Sequence, residues 1–592
     1  MNSPTVGILG RWWREIVGAL IVLVSRILTA PRTPWENDEF LFAEAVRKFD
    51  PSRYHPHPPG YPLYILIGKV FHALTDDPWR ALILFSIVAA PIGFIAMALA
   101  FRRWLGDPDL AVPAALLYYF SSSMLVHGTL ALSDGPSIMF LALALLALSR
   151  LSDADHERSA LALGIWSSAA IGCRPQLVVP LIPMLLVALW SMRSMRQRIA
   201  CVLAFAFVSI MWFLPLVDAA GGLAKVIAYE SKQAAYFTSH DAALSRGAKS
   251  SFEIATRFIL HPWGTKYITI PLALLILLGI PAAARRWRAL LPLFVFTAVQ
   301  LMFELGWMDP SDAARYSLPA MIAFALVAAF GFDVIRRSTQ LRAAPWIAAA
   351  LFAAISIWYV RPLLAARRGG PSPVAAAAAY ANSHFAPNTV IAYELSLRPH
   401  AEYLMPRFRS LAVEPALAAF YDRSEVPLVL FADGGSHAPE ARVFSWPESD
   451  AFGKLTRNHY REVSLDPIRP AERYLPLGGV YAPERTIAGD EWRWLARDAA
   501  IRLPHDHSNK ITLAFRLSPD TPYDSNVVHI AINGTPAGTV VARKQAAPIT
   551  LPLPAGPAEI EMHSDQAFAP ATVLRNQDPR ILAVQLVGVE QR

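Results

Sequence analysis

The sequence predicts an α-helical polytopic membrane protein with a water-soluble C-terminal part. Hydrophobic residues make up 54% of its 592 residues and charged residues only 17%, whereas a soluble globular chain carries about 25% charge. The apolar residues gather in long runs that stop near residue 365. Disorder is excluded because disordered chains are poor in apolar residues. With 2 cysteines, a small disulfide-rich scaffold is excluded as well.

About eleven apolar runs are candidates for membrane spans, since a helix needs about 20 mostly apolar residues to cross a bilayer. The first run lacks a small-residue cleavage site and is therefore expected to be a retained span. The run Tyr61–Leu74, with about 14 residues, is typical of a re-entrant or interfacial segment. The predicted spans lie near residues 15–31, 79–101, 110–128, 134–149, 159–173, 175–192, 198–217, 266–284, 289–307, 316–335 and 344–361.

Basic clusters between the runs predict the orientation. If Tyr61–Leu74 does not cross, every cluster falls on the side of the N-terminus, as the positive-inside rule requires. We therefore expect a cytoplasmic N-terminus and an outer face that carries residues 33–60, 217–266 and everything after Arg361. The net charge of +8 comes with no basic face interleaved with aromatics, which argues against nucleic-acid binding. The clusters are Arg102-Arg103, Arg193/Arg196/Arg198, Arg285/Arg286/Arg288 and Arg336/Arg337/Arg342.

The composition changes at Gly369, where Pro, Asp, Asn and alternating patterns replace the long apolar runs. We predict a transmembrane domain over 1–365, a small extracytoplasmic α/β module over 366–472 and a jelly-roll-like β-sandwich over 473–592. The Asn533-Gly534 pair predicts a hairpin turn. The module is predicted from a helix at 373–385 and strands at 389–392, 427–431 and 442–444, and the sandwich from strands at 510–517, 526–532, 538–542, 547–553, 559–563 and 581–589.

The first outer loop carries the residues most suited to chemistry. Glu36, Asp38 and Glu39 follow the first predicted span directly. Clustered acids raise one another's pKa or recruit a cation, and a carboxylate can act as general base toward a hydroxyl or amine. Alternatively, they form the first turn of a solvated helix. The Pro-rich stretch that follows favours a site, because irregular backbone persists near a membrane only where it lines a cavity.

Four motifs in order resemble the multi-spanning GT-C glycosyltransferases, and most closely the bacterial branch related to protein mannosyltransferases and lipid A aminoarabinose transferases. The resemblance covers about residues 10–365. Gly60 stands where that family commonly has a bulkier apolar residue, which predicts a wider cavity or a looser turn. The motifs are the acidic pair Asp38-Glu39 followed by His57-Pro-Pro-Gly-Tyr-Pro-Leu63, then Ala131-Leu-Ser-Asp-Gly-Pro136, Cys173-Arg-Pro-Gln176 and Asp312-Ala-Ala-Arg-Tyr-Ser-Leu-Pro319.

The resemblance implies transfer of a hexosyl or pentosyl group from a polyprenyl-phosphate donor, with inversion. Asp38 takes the position of the family's base, and Glu39 would support it or help hold a cation. Arg174 and Arg315 would neutralise the leaving phosphate, since a guanidinium fork suits a phosphate, or would be snorkelling side chains. Tyr316 would lie beside the phosphate or in an interfacial aromatic belt. No nucleotide-binding fingerprint is present.

Other candidate residues have two interpretations each. Asp134 is either a second acid of the site or a helix cap. His55 and His57 either hold a divalent cation such as Mg or Mn, bind the sugar, or form a turn. Tyr61 is expected in the substrate-binding set. His240, Asp241 and His261 in the second outer segment receive no specific role. Trp492 and Trp494 either stack on sugars or fill the sandwich core.

The predicted function is that of a bacterial inner-membrane glycosyltransferase that acts at the periplasmic face. The expected partners are a polyprenyl-phosphate sugar, membrane lipids, and a glycan, lipid or protein acceptor. One alternative is a transporter or flippase of lipid-linked glycans, but that class places charges inside mid-membrane helices and often shows inverted repeats. Another alternative is a non-catalytic scaffold with a sugar-binding sandwich, for which the outer acids would be dispensable.

Overall fold

The computed structural model describes residues 8–151, 156–240, 251–457, 460–486, 488–573 and 578–592, without the side chains of 8–11 and 239–240. Contacts divide the chain into two compact units. The helical unit comprises Met1–Gly370 together with Pro447–Asn458, and the sheet unit comprises Pro371–Trp446 together with His459–Arg592. The predicted division into three domains therefore remains a prediction. The segment 447–458 lies outside the transmembrane range that the sequence suggested, yet it packs with the helices.

Every predicted span coincides with a helix of the helical unit. The run predicted over 110–128 is divided between two helices, because Ser121 adopts extended backbone and accepts a hydrogen bond from the amide of Met124 as the cap of the second. The helices are α1 Ile8–Thr29, α2 Asn37–Arg47, α3 Pro62–His72, α4 Pro78–Leu105, α5 Pro108–Tyr119, α6 Ser122–His127, α7 Asp134–Ser149, α8 His156–Cys173, α9 Val178–Ser191, α10 Met195–Ala220, α11 Leu223–His240, α12 Ser251–Ile259, α13 Lys266–Arg285, α14 Trp287–Trp307, α15 Ala313–Tyr316, α16 Leu318–Thr339 and α17 Ala344–Gly369.

The helical unit is that of a polytopic membrane protein. Among the described residues, 6 helices are long and apolar enough to cross a membrane: α4, α10, α13, α14, α16 and the stretch Ala344–His384. The shorter apolar helices include α3, α7 and Pro175–Ser191. Helix α7 has 16 residues and α9 has 14, so both are shorter than the about 20 residues of a typical span.

Helix α3 begins and ends on the same side of the unit. Its 11 residues extend about 16 Å, roughly half of the hydrocarbon thickness. Trp79, in the first turn of α4, donates from Nε1 to Oε2 of Glu39 at 2.8 Å, which places the start of α4 beside α2. The structure therefore agrees with the expectation that Tyr61–Leu74 does not cross.

Ion pairs join several helix ends on the side of the unit that lies away from Glu39. Arg102 at the end of α4 lies 2.9 Å from Oε1 of Glu15 in α1. Arg336 near the end of α16 lies 2.6 Å from Oδ2 of Asp107, which caps α5. Two of the basic clusters and the beginning of α1 thus share one end of the unit, as the positive-inside interpretation requires.

The first part of the sheet unit is a five-stranded sheet with helices on it. Its strand order is β2-β1-β3-β5-β4, with β1 parallel to β2 and β3, and β5 antiparallel to β3. The three predicted strands coincide with β1, β3 and β4. The elements are α18 Pro373–His384, β1 Val390–Tyr393, α19 Arg398–Leu404, β2 Arg409–Ala412, α20 Val413–Phe420, β3 Leu428–Asp433, β4 Arg442–Ser445 and β5 Glu462–Pro467, while α21 Asp450–Leu455 belongs to the helical unit.

The rest of the sheet unit is a β-sandwich of two five-stranded antiparallel sheets. Their strand orders are β13-β10-β15-β8-β7 and β12-β11-β14-β9-β6. Strict alternation along β10 buries Ile511, Leu513 and Phe515 in the shared core. The predicted hairpin turn is confirmed, because Asn533 and Gly534 have φ of 51° and 76°. The elements are β6 Leu475–Pro476, β7 Val480–Arg485, β8 Glu491–Leu495, β9 Asp498–Arg502, β10 Lys510–Arg516, β11 Asn526–Ile532, β12 Thr535–Ala542, β13 Ala547–Pro552, β14 Glu559–Ser564, α22 Pro570–Val573 and β15 Val584–Gln591.

Candidate active site

Glu39 fixes helix α2 in place. Its Oε1 accepts hydrogen bonds from the amides of Trp35 and Glu36 at 2.8 and 3.0 Å. Its Oε2 accepts from Nε1 of Trp79 and the amide of Ala131 at 2.8 and 3.1 Å. Four donors thus occupy a fully buried carboxylate that joins α2 to α4 and to the segment before α7. These bonds fix the first turn of α2, which also carries Asp38.

Asp38 presents its carboxylate to a cationic group. Nη2 of Arg315 donates to Oδ2 at 3.0 Å, and Nδ1 of His57 lies 3.9 Å from Oδ1. Burial alone would raise the pKa of Asp38, but the charges of His57, Arg315 and Arg457 together hold it well below its usual range. Asp38 is therefore ionised at neutral pH and able to accept a hydrogen bond.

Arg315 lies among three carboxylates that come from different segments. Besides Asp38, its Nε is 3.3 Å from Oδ2 of Asp312 and 3.7 Å from Oδ2 of Asp134. Asp312 precedes α15, Asp134 opens α7, and Asp38 lies in the first turn of α2. The guanidinium is only 7% exposed. The site is thus assembled where three helix beginnings meet.

Arg174 joins the same cluster from the end of α8. It forms an ion pair with Asp134. Its guanidinium carbon lies 5.6 Å from the centre of the Tyr316 ring, and that of Arg315 lies 5.3 Å from the same ring. The two predicted phosphate ligands therefore share one carboxylate and one aromatic ring. Such a pair of guanidinium groups suits an anion with several oxygens.

The Pro-rich turn brings His57 and Tyr61 to this cluster. The two ring centres are 5.1 Å apart, and Nε2 of Gln176 donates to Oη of Tyr61 at 2.7 Å. Since Gln176 belongs to the Arg174 motif, the turn is joined to the end of α8. His55, in contrast, pairs through its backbone with Asp50. None of the contacts recorded among the described residues joins the His55 side chain to Asp38.

Gly60 is favoured by its backbone conformation. Its φ of +89° is in the left-handed region that favours glycine. A Cβ at this position would lie 2.6 Å from Cδ1 of Leu216. The departure from the bulkier residue common in the related family thus accompanies a close approach of the turn to α10.

Sequence reasoning missed Arg457. This side chain follows α21 and lies 3.3 Å from Oδ2 of Asp312 through Nε. Its Nη2 lies 3.5 Å from Oη of Tyr316 and 3.8 Å from Oδ2 of Asp309. A hydrogen bond of 2.7 Å between Nε2 of His127 and the carbonyl of Leu455 anchors the segment. No motif marks Arg457 in the sequence, and only the three-dimensional fold brings it to the site.

Glu36 differs from Asp38 in protonation. Burial and the charge of Asp312 raise the pKa of Glu36 to about 7, although Arg367 opposes the shift. Oε1 of Glu36 lies 3.9 Å from Nη2 of Arg367. Within this cluster, Asp38 stays ionised while Glu36 titrates near neutral pH.

The carboxylates of the site are paired with guanidinium groups. Among the described residues, no three His, Cys, Asp or Glu side chains are grouped to hold a metal ion. The residues predicted to hold a divalent cation are not grouped, since four donors occupy Glu39 and Arg315 pairs with Asp38. This set of residues does not fit such a cation.

The second outer segment contributes apolar residues to the cluster, because Ile254 and Phe258 pack with Tyr316. The side chain of His240 and the whole of Asp241 lie outside the described residues. His261 begins a short 3-10 turn after α12. In the described part of the chain, no recorded hydrogen bond or ion pair joins His261 to Asp38 or Arg315.

Comparisons with known proteins agree with the family resemblance that the motifs indicated. Residues 55–217 match the family model described as dolichyl-phosphate-mannose-protein mannosyltransferase. This range contains His55, His57, Tyr61, Asp134 and Arg174. No curated protein matches the chain.

The solved structures similar to this chain have low sequence identity. ArnT from Cupriavidus metallidurans bound to undecaprenyl phosphate is 15% identical, with 78% of this chain and 98% of that chain covered and a TM-score of 0.49. AglB from Archaeoglobus fulgidus, in complex with an inhibitory peptide and a dolichol-phosphate, is 13% identical, with coverages of 72% and 70% and a TM-score of 0.43. EmbB from Mycobacterium smegmatis is 11% identical, with coverages of 100% and 66% and a TM-score of 0.38. Residues 55–217 are thus similar to the dolichyl-phosphate-mannose-protein mannosyltransferase family, and this match confirms the resemblance that the motifs indicated.

Proposed function

We propose that the protein is a membrane glycosyltransferase that moves a sugar from a polyprenyl-phosphate donor to an acceptor, with inversion. The observation that carries this proposal is the approach of Arg315 to Asp38 at 3.0 Å, beside the second guanidinium of Arg174. An ionised carboxylate and a group of arginines are the two components that the reaction needs. One accepts the proton of the acceptor, and the other stabilises the departing phosphate.

The site is proposed to face the periplasm of a bacterial inner membrane. Asp134, Arg174 and Arg315 lie at the ends of helices that are opposite to the ends joined by the Arg102–Glu15 and Arg336–Asp107 ion pairs. Because basic clusters mark the cytoplasmic side, the Asp38 end belongs to the other side. A lipid carrier could reach it from the outer leaflet.

In the proposed reaction, the acceptor oxygen attacks the anomeric carbon, and the bond between that carbon and the phosphate oxygen breaks. The acceptor proton passes to Asp38, and the electron pair of the broken bond leaves with the polyprenyl phosphate. Arg315 lowers the pKa of Asp38 before the donor binds. A phosphate that engages Arg315 competes with Asp38 for its charge and so makes the carboxylate more basic when a base is required.

The leaving phosphate is proposed to be stabilised by Arg174, Arg315 and Arg457. A guanidinium group donates up to five hydrogen bonds in a rigid fork, so each arginine can hold its present carboxylate and still donate to a phosphate oxygen. His57 and Tyr61 are proposed to contact the sugar, since they border Asp38. We propose that the reaction needs no divalent cation, because Arg315 already pairs with the carboxylates of Asp38, Asp134 and Asp312. The acceptor is an envelope glycan, a lipid or a protein.

The substitution Asp38→Asn tests the assignment. We expect transfer from a polyprenyl-phosphate sugar in proteoliposomes to fall by at least about 100-fold, while insertion and the thermal unfolding midpoint stay near those of the wild type. The control is Asp76→Asn, an exposed acid between α3 and α4. Wild-type rates in Asp38→Asn would refute the proposed base.

The same variant separates a transferase from a flippase. A flippase moves the intact lipid-linked glycan and requires no base, so Asp38→Asn would leave movement of a labelled donor between leaflets unchanged. We expect no movement of the donor in either protein, together with loss of sugar transfer in the variant. Donor movement without transfer in the wild type would favour the transporter alternative.

A further inference from the structure

One outer face of the β-sandwich carries a row of polar side chains beside a cavity. The sheet β12-β11-β14-β9-β6 borders a cavity of about 740 Å³. Thr539, His529, His563 and Asp498 lie directly opposite one another on four neighbouring strands. With a strand spacing of about 4.8 Å, this row spans about 14 Å. These four residues are called the polar row below.

Hydrogen bonds hold the row in place. Nδ1 of His563 lies 2.6 Å from Oδ1 of Asp498, and Nε2 of His529 lies 3.0 Å from Oδ1 of Asp565. The two imidazole centres are 6.4 Å apart. The histidine side chains are 54% and 52% exposed. Each imidazole is therefore oriented by a carboxylate and still open to a ligand.

The floor of the cavity, beside the polar row, is made of small residues. Glu561 on β14 lies opposite Ala531 on one neighbouring strand and Ala500 on the other. The alternate residues of the same strands, such as Ile530 and Met562, are buried in the core. The outward face therefore contributes little to the hydrophobic core, and its shape, with polar walls around an alanine floor, has no packing explanation.

The charges of this face restrict the ligand. Asp498, Asp565 and Glu561 surround the row, and the nearby Arg502 is paired with Glu559 at 3.1 Å. An acidic rim repels phosphorylated or carboxylated ligands. With an alanine floor and polar walls, the cavity also lacks the large apolar surface that a lipid chain or an amphipathic helix would need. Vicinal hydroxyl groups fit, because they can donate to the carboxylates and to the imidazole nitrogens that are not bonded to a carboxylate.

We propose that the polar row is a binding site for a neutral or amino-sugar oligosaccharide. Imidazole rings would lie against the C–H faces of the sugar, while Asp498 and Glu561 accept hydrogen bonds from its hydroxyl or amino groups. This site goes beyond the proposed transferase reaction and does not depend on it. It also differs from the stacking site that Trp492 and Trp494 suggested, since Trp494 is packed on Phe568 with ring centres 6.1 Å apart.

The test measures oligosaccharide binding to the full-length protein in detergent by isothermal titration. The probes are hexasaccharides of glucose, N-acetylglucosamine, mannose and glucosamine, with a galacturonic acid hexasaccharide as the anionic counterpart. We expect at least one neutral or amino-sugar hexasaccharide to bind and the anionic one not to bind. His563→Ala should weaken that binding at least about tenfold, and Ala531→Trp should do the same by filling the floor.

The matched control is the Thr512–Thr550 pair, an exposed cross-strand contact of 3.0 Å on the other sheet. Thr550→Ala should bind the probe like the wild type, and all variants should keep the wild-type unfolding midpoint. The proposal is overturned if no neutral or amino-sugar probe binds, if the anionic probe binds as well as the others, or if correctly folded His563→Ala and Ala531→Trp both bind normally. Asp38→Asn should also bind normally, which separates this site from the transferase site.

Discussion

Arg315 and Asp38 are 277 positions apart in the sequence, yet their side chains form a hydrogen bond of 3.0 Å. The arginine lies in α15, just before α16, and the aspartate lies in the first turn of α2. Because the same guanidinium also meets Asp134 and Asp312, this contact sets both the charge of the proposed base and the position of the proposed phosphate ligand.

Replacing Arg315 tests that double role. Arg315→Gln should lower kcat/KM by at least about 100-fold. The charge of Arg315 lowers the pKa of Asp38, so its removal should move the acidic limb of the pH–rate profile toward higher pH. Arg80→Gln, an exposed arginine near the start of α4, serves as the control. A fall in rate with no movement of the acidic limb would contradict the electrostatic coupling.

Glu36 should make stability depend on pH. Its folded-state pKa of about 7 lies above its ordinary value of 4.5, so the folded protein binds the proton more tightly than the unfolded chain. The contribution of Glu36 is therefore fully present below about pH 4.5 and lost as the pH rises through 7. Thermal unfolding of detergent-solubilised protein should show this slope in the wild type and a smaller slope in Glu36→Gln. Equal slopes in the two proteins would contradict the prediction.

Arg457 should contribute to binding of the donor rather than of the acceptor. Arg457→Ala should raise the KM for the polyprenyl-phosphate sugar about tenfold or more, the usual scale of a hydrogen bond to a charged group. The KM for the acceptor should stay nearly constant. Lys454→Ala, on α21 just before Arg457 and paired with Asp450 at 3.0 Å, should behave like the wild type. Equal effects of both substitutions would assign Arg457 a structural role.

Metal removal should leave activity unchanged. Divalent cations prefer carboxylate oxygens, and those of Asp38, Asp134 and Asp312 are paired with Arg315. We expect transfer after treatment with EDTA to equal transfer in added magnesium or manganese. Loss of activity in EDTA, with recovery on addition of either cation, would contradict the proposed metal-independent reaction.

Much of the cluster could be predicted because its members lie in short, recognisable sequence motifs. Asp38, Asp134, Arg174 and Arg315 each belong to a short motif at the end of a predicted span. Charged groups at such places are costly unless they have partners, so their convergence was a reasonable expectation. The structure brings all four together, with Tyr316 beside two of them.

Other features depend on contacts that a linear pattern does not contain. The role of Glu39 arises from Trp79 and from the amide of Ala131. His55 and His57 look equivalent in the sequence, but the turn brings only His57 toward Asp38. Strands β7 to β9 were missed because they are short and are interrupted by charged residues and proline, which hides their alternation.

The position of Arg457 late in the sequence affects the order in which the site is synthesised. Residues 447–458 pack with the helices, although the chain on both sides of them belongs to the sheet unit. A ribosome that has synthesised α17 has already supplied every predicted span and all four motifs, but Arg457 is still to be synthesised. Biogenesis therefore delays completion of the reaction centre until part of the extramembrane region has emerged, and a chain truncated after Gly370 would insert without that final guanidinium.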